Sequence, residues 1–496
     1  MLKNKYENLK KKENLRETLS QLRSEAKENP ARQELQQLAE NDTILQELLF
    51  YEDAKVRKSA ALLLGELQLQ QAVEPLFEAY CKEETLFVKS AYLTAMSRLD
   101  AGMHLDFFKQ RYKELTEKNV TIEEKKHIHE EIKALMDVIL SIEGIKKHTF
   151  TGFKNSHDLL LATNREQREV TLNEVKELSA TVQRSTELHP MGVKVYTKEV
   201  LPFTKLRTYR ELLFPVSVEG KADGTPNEVA QQLWGSGIYD FLKECHKEEG
   251  PFFFRVEIKS AQPQVEFVKK LGAAIEEVSG WQMINAPKGY EVEIRLVAMR
   301  DGGYLPFLKL FTLSMKRFSY RKNAVSMSIH PATAAMLVHL AKPYLKENAQ
   351  ILDPCCGVGT MLIERDICVP AREKYGIDIF GEAIEMAREN ASLAGERINF
   401  IHRDYFDFKH DYKFDEIITN MPVKGKKTRE EMDEFYAEFF RKSKEILALD
   451  GIIIMYTNEV GFVKKQLRLQ TSYRLLQEFE IRKKDGFHLF IIGTKG

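Results

Sequence analysis

The sequence predicts a multidomain chain in three parts. An α-helical domain covers residues 1–147, an α+β domain 148–315, and an α/β domain 316–496. Three observations predict this. At 496 residues the chain is too long for one domain. Its first 145 or so residues hold little glycine or proline, which favours helices. From Met315 onward strand-like and helical segments alternate regularly, the pattern of a parallel sheet covered by helices.

In the first part, Tyr6 to Glu40 is strongly charged and reads as one or two solvent-facing helices. Glu52 to Leu67 looks like one helix of a HEAT-type repeat. The Lys-Ser-Ala at Lys58 recurs at Lys89, a period of about 31 residues. Pro75 opens the helix between them, where proline is tolerated. Stacks of this kind present a surface and do no chemistry, so this HEAT-like domain reads as a docking module for a protein partner or RNA. A plain helical cap on the middle domain is the alternative.

In the second part, a strand at Asp158–Thr163 precedes a helix at Glu169–Leu178. A single helix is expected from about Asn227 to Cys245, then a strand at Phe252–Ile258 and a helix from Pro263 to Val278. Strands at Tyr290–Val297 and Leu305–Phe311 flank Asp301-Gly302-Gly303, a hairpin signal.

The third part carries the chemistry. The apolar run Ile351-Leu352 ends at Asp353, followed by Pro354, Cys355, Cys356, a turn with Gly357 and Gly359, and a helix entered through Thr360. A strand, a glycine turn and a helix N-terminus offer unpaired N–H groups to an anionic group. A second strand ends at Asp378, followed by Ile379, about 20 residues past the glycines, where a carboxylate accepts from ribose hydroxyls. A dinucleotide fingerprint would need a further glycine where Leu362 stands, so NAD and FAD are excluded. The next strand, Ile398–Arg403, ends at Asp404 and Tyr405, with Asp404 placed to accept from an adenine amino group. A fourth strand, Phe414–Thr419, runs into Asn420-Met421-Pro422. The helix Glu430–Leu447, strand Ile452–Tyr456, helix Gly461–Leu469 and hairpin Ser472–Lys483/Gly486–Thr494 complete a seven-stranded sheet.

Asp353-Pro354-Cys355-Cys356-Gly357-Val358-Gly359-Thr360, the strand-end acids Asp378 and Asp404 and Asn420-Met421-Pro422 together resemble the class I S-adenosylmethionine (SAM) methyltransferases, with a Rossmann-like α/β fold. More narrowly, they resemble the guanine-N2 RNA methyltransferases that often carry a THUMP domain. Arg317–Lys322 and Ser328-Ile329-His330-Pro331 fit the lead-in helix of that group, with His330 as its cap. The resemblance spans Met315 to the C-terminus and implies SAM as cofactor, with no metal. It places a THUMP-like RNA-binding domain at residues 148–315 by position and layout. Asp353, Gly357 and Gly359, with Pro354 and Thr360, would hold the methionine moiety. Asp378 with Ile379 would hold the ribose, and Asp404 with Tyr405 the adenine. Asn420 lies against the cofactor and, with Met421 and Pro422, positions the acceptor amine. The implied substrate is a structured RNA, tRNA above others, methylated at guanine N2.

Relatives acting on amino groups of bases usually place an aromatic where this chain has Val423. Stacking is then expected from Phe318, Tyr320 or Tyr405. Substrate contacts are expected from Arg317, Tyr320, Arg321 and His330, and from Lys424, Lys426 and Lys427 after the catalytic turn. A third basic cluster lies at Lys464–Arg468. Val423 also keeps open a SAM- or RNA-binding scaffold without catalysis. An acceptor in protein glutamine or DNA adenine is the other alternative, opposed by the missing Asn-Pro-Pro-Tyr.

With 74 basic and 74 acidic residues the formal net charge is zero, which argues against strong sequence-independent nucleic-acid binding but leaves room for a local patch. Five scattered cysteines without metal-ligand spacing point to a reducing cytoplasm. Cys355 and Cys356 read as small apolar filling. The N-terminus is too charged for a signal peptide, and no apolar run approaches the roughly 20 residues a membrane span needs.

Overall fold

The computed structural model of the chain describes residues 2–117, 121–144, 147–178, 184–425 and 428–495. They form two compact units, Met1–Lys147 and His148–Gly496.

The first unit is helical. Its charged opening departs from expectation: three helices, Leu2–Lys10, Leu15–Glu25 and Asn29–Glu40, take the place of solvent-facing ones. Tyr6, Leu9, Leu19, Leu22 and Leu35 are all buried. The charges hide an apolar residue roughly every turn, enough to bury one stripe of each helix. Lys58 and Lys89 sit near the starts of two helices, Ala54–Glu66 and Leu86–Met96, that pack on each other. Gly65 lets them approach: a Cβ there would stand 2.6 Å from Ala95 Cα. Pro75 falls in the first turn of Val73–Lys82, where its missing N–H costs nothing.

The second unit holds two sheets. One is eight-stranded, built from β1 (His157–Ala162), β2 (Arg184–His189), β3 (Gly192–Thr197), β4 (Glu211–Pro215), β5 (Phe252–Lys259), β6 (Met283–Asn285), β7 (Val292–Ala298) and β8 (Tyr304–Leu310), in the order β2-β3-β1-β4-β8-β7-β5-β6. The turn between β7 and β8 uses Gly302 and Gly303, both at positive φ, as the sequence signal requires. The helix expected from Asn227 to Cys245 is two helices, Pro226–Gly235 and Ile238–Cys245. Gly237 takes a left-handed φ of 76°, a conformation that ends one helix and lets the next start at a new angle.

The other sheet is seven-stranded. Its strands are β9 (Gln350–Asp353), β10 (Glu373–Asp378), β11 (Asn399–His402), β12 (Phe414–Asn420), β13 (Leu447–Thr457), β14 (Tyr473–Arg482) and β15 (Phe487–Thr494), in the order β11-β10-β9-β12-β13-β15-β14. The first five in that order run parallel, and β15 pairs antiparallel with both β13 and β14. The chain leaves β9 toward β10 on one side and reaches β12 on the other. In such sheets the crevice at the carboxyl ends of the strands lies at this reversal.

Ion pairs fasten the frame. Arg365 and Glu416, both fully buried, pair at 2.7 Å, and the same guanidinium donates to the Lys346 carbonyl. Arg207, from the segment before β4, makes two 2.8 Å bonds to the buried Glu364 of the helix Thr360–Cys368, joining the regions of the two sheets.

Candidate active site

The carboxyl ends of β9, β10 and β12 open into a cleft of about 500 Å³, walled by Asp353, Gly357, Thr360, Asp378 and the turn Asn420–Val423. Its cofactor-like side is tied together by backbone bonds. Asp353, 1% exposed, accepts the Cys355 N–H at 3.1 Å. Burial pushes its carboxyl up to about 8, with the Asp378 charge adding to the rise. Asp378 accepts the Gly357 N–H at 2.8 Å and the Phe380 N–H at 3.0 Å, so the glycine turn and the acid hold each other in place. Among the described residues, the buried Thr360 hydroxyl at the helix start has no partner.

The two glycines differ. Both have positive φ, 50° at Gly357 and 80° at Gly359. A Cβ at Gly357 would meet nothing within 4 Å, so that turn leaves space for a ligand. At Gly359 it would stand 2.9 Å from the Phe400 ring: this glycine serves packing under the turn and is not on the cleft wall.

Opposite them, Asn420 ends β12 beside Tyr456 of β13, and the Met421 N–H donates to the Tyr456 carbonyl at 3.0 Å. Met421 is buried, Pro422 exposed, and Val423 lines the cleft. His330 caps the helix Pro331–Ala341 by accepting the Ala332 N–H at 3.2 Å, and also reaches the cleft wall. Burial and the guanidinium groups of Arg210, Arg321 and Arg317 hold its imidazole down to about 4, so it is neutral at physiological pH.

Several expected contacts lie elsewhere. Asp404 accepts the Phe406 N–H at 2.9 Å and caps the short turn Tyr405–Asp407; it is not on the cleft wall. Tyr405 is 4% exposed, its hydroxyl bonded to Ser443. Pro354 and Ile379 are also outside the wall, Ile379 pointing to solvent at 57% exposure. Arg317 lies over the Tyr209 ring at 3.7 Å and donates to the carbonyls of Leu206, Tyr209 and Arg210, an internal tie and not a substrate contact. Tyr320 is buried with its hydroxyl on Glu364, and Phe318 lies between Arg207 and Arg317. Arg321 is off the wall. Lys464 and Lys465 are paired with Glu478 and Asp433. Lys424 is exposed, while Lys426 and Lys427 fall outside the described residues.

Among the cleft residues that sequence reasoning missed are Arg210, Tyr456, Arg482 and Phe487. The one available signal was Tyr456, at the end of the strand neighbouring β12.

The family model described as "RMKL-like, methyltransferase domain" matches residues 319–485. A ribosomal protein L11 methyltransferase of Thermotoga petrophila is 24% identical over 192 residues, 37% of this chain and 64% of that protein. A tRNA (guanine(10)-N2)-dimethyltransferase of Methanothermobacter thermautotrophicus is 29% identical over 219 residues, 42% of this chain and 63% of that one. The chain thus spans less than two thirds of either relative. TrmN from Thermus thermophilus superposes with a TM-score of 0.50 at 19% identity over 68% of this chain and 99% of its own. SMU.472, solved with SAH, gives 0.50 at 17% identity over 69% of this chain and 99% of its own. Both covered shares exceed the segment the family model matches, so the likeness in fold reaches into the α+β region. Residues 319–485 thus match a methyltransferase domain of the RMKL-like kind, in a fold shared with these solved structures.

Proposed function

We propose that the protein transfers a methyl group from SAM to an exocyclic amino group of structured RNA, guanine N2 in tRNA above others. One observation carries the reading: the Asn420-Met421-Pro422 turn opens into the same cleft as the glycine turn and Asp378. The name of the Methanothermobacter relative supports tRNA.

The residues present suit the cofactor. The unpartnered Thr360 hydroxyl, the open space over Gly357 and the N-terminus of the helix behind them fit its amino-acid end, and Asp378 fits its ribose. SAM supplies an electrophilic methyl group. The Asn420 side-chain oxygen and the Met421 carbonyl accept the hydrogens of the target amine and aim its lone pair. The Met421–Tyr456 backbone bond and Pro422 keep that turn rigid. No strong base is required, because alignment of this kind can be worth about 7–11 kcal/mol. Neutral His330 serves as a helix cap and not as a base.

The helical unit reads as a docking module for RNA or a protein partner, and the α+β domain as a THUMP-like RNA binder. Five scattered cysteines suit a reducing cytoplasm. No helix among the described residues is long and apolar enough to cross a membrane. A protein amine is the second reading, favoured by the name of the Thermotoga relatives.

The test is methyl-labelled SAM with separated tRNA, rRNA and protein fractions from cells lacking the protein. Label is expected in tRNA. Asn420→Ala should lower it roughly 100-fold or more while SAM affinity stays within about twofold. Label confined to protein would replace the RNA reading. SAM binding without label in any fraction would leave a scaffold.

A further inference from the structure

With Val423 in the usual place of an aromatic and Phe318, Tyr320 and Tyr405 all engaged inside the protein, the cleft still contains an aromatic surface. Tyr456 and Phe487 stack with ring centroids 4.9 Å apart and planes 26° from parallel, and both line the cleft. Asn420 and Tyr456 are register partners on adjacent parallel strands, so their side chains share one face of the sheet. Tyr456 is 4% exposed and buttresses the stack, while Phe487 is only partly buried and presents the free ring.

Two cations line the cleft with this ring. The Arg482 guanidinium lies 5.4 Å from the Phe487 centroid, anchored to Asp485. Arg210 reaches the same cleft from the segment before β4 and donates to Thr333 at 3.2 Å. It has no ion pair among the described residues. An aromatic face and two guanidinium groups in one cleft match a nucleotide, whose base stacks and whose phosphate takes charge-assisted bonds.

We infer that Phe487, backed by Tyr456, is the platform on which the target base lies while Asn420 holds its amino group, with Arg482 and Arg210 gripping the flanking phosphates. This deepens the proposed function and rests on it. The hairpin of β14 and β15 thereby does the task that relatives assign to an aromatic in the position of Val423. A base turned out of its helix needs such a surface, because it gives up its own stacking on leaving.

The test uses the full chain, total tRNA and labelled SAM. Phe487→Leu keeps apolar packing on Tyr456 but removes the ring, and Phe487→Trp keeps a ring. Phe487→Leu should lower kcat/KM for tRNA about tenfold to a hundredfold with SAM affinity and melting temperature held, and Phe487→Trp should restore most of the loss. Arg482→Gln should raise KM for tRNA and flatten its salt dependence. Equal turnover by Phe487→Leu and the parent protein would overturn the platform while leaving the methyltransferase reading intact. Equal losses in the Leu and Trp variants, accompanied by a lower melting temperature, would also overturn it and make Phe487 a packing residue. A parent protein that labels no tRNA removes the functional reading, and the platform with it.

Discussion

The two halves of the cleft are built by different means. The half proposed for the cofactor is local: Asp353, the glycine turn and Asp378 come from two adjacent parallel strands and are locked by backbone N–H bonds. The half proposed for the acceptor is composite: the Asn420 turn, the β14–β15 hairpin and Arg210 from the segment before β4 line one cleft. A parallel sheet brings its strand ends together in an order the chain dictates, so a cofactor site can be compact in sequence. The surface proposed for the acceptor is drawn from three separate parts of the chain.

If the halves are separable, breaking the join between the two sheets should damage the acceptor half first. Arg207→Met removes both bonds to Glu364 and leaves that buried carboxylate, among the described residues, with the Tyr320 hydroxyl. An uncompensated buried charge costs roughly 3–5 kcal/mol, to be read as a lower urea midpoint. Transfer to RNA should fall several-fold further than SAM affinity in the fraction that remains folded. Parallel losses of both would show that the halves are mechanically one.

A smaller effect isolates the cofactor half. Burial raises the Asp353 carboxyl from its ordinary range to about 8, so in the ligand-free fold it keeps its proton at neutral pH. The unfolded chain has already released that proton above about pH 4. The folded state therefore binds more protons between these values, and this group's contribution is full below pH 4 and lost as pH rises toward 8. The loss approaches roughly 1.4 kcal/mol per pH unit at most. Asp353→Asn should remove that slope, so the difference between variant and parent, followed by urea melts from pH 5 to 8, should change steadily in the variant's favour. A constant difference would place the Asp353 pKa in the ordinary carboxylate range.

The same contrast explains what could be read from the sequence. That Asp353, Gly357, Asp378 and Asn420 meet in one cleft was legible because each lies at a strand end or in the turn that follows it, and such places are marked by apolar runs and turn residues. Asp404 obeyed the same pattern but caps its own turn, since a strand-end acid beside a free N–H satisfies it whether or not a ligand is near. The Arg317–Lys322 run shows a second limit. Guanidinium groups interleaved with rings look alike in sequence whether they await phosphates or, as Arg317 does, bond to carbonyls of the same chain. Phe487 was invisible because its meaning depends on β15 returning beside β13, a pairing that no local signal encodes. The break at Gly237 was legible in Gly235-Ser236-Gly237, a turn signal that the reading of one continuous helix passed over.

The two glycines of the turn sharpen the comparison at the scale of a single methyl group. Gly359→Ala combines a left-handed φ with a Cβ 2.9 Å from the rigid Phe400 ring, so it should cost about 2 kcal/mol in stability. Gly357→Ala carries the φ penalty alone, about 1 kcal/mol, because nothing stands within 4 Å of the new carbon. That carbon would stand in space reserved for the ligand, so SAM affinity should fall roughly tenfold, a loss of about 1.4 kcal/mol in binding. Thermal melts with and without SAM separate the two: Gly359→Ala should melt early but keep most of the shift that SAM produces, and Gly357→Ala should melt near the parent and lose most of that shift. The reverse pattern would mean that the chain approaches its cofactor at Gly359, and that the open space over Gly357 faces only solvent.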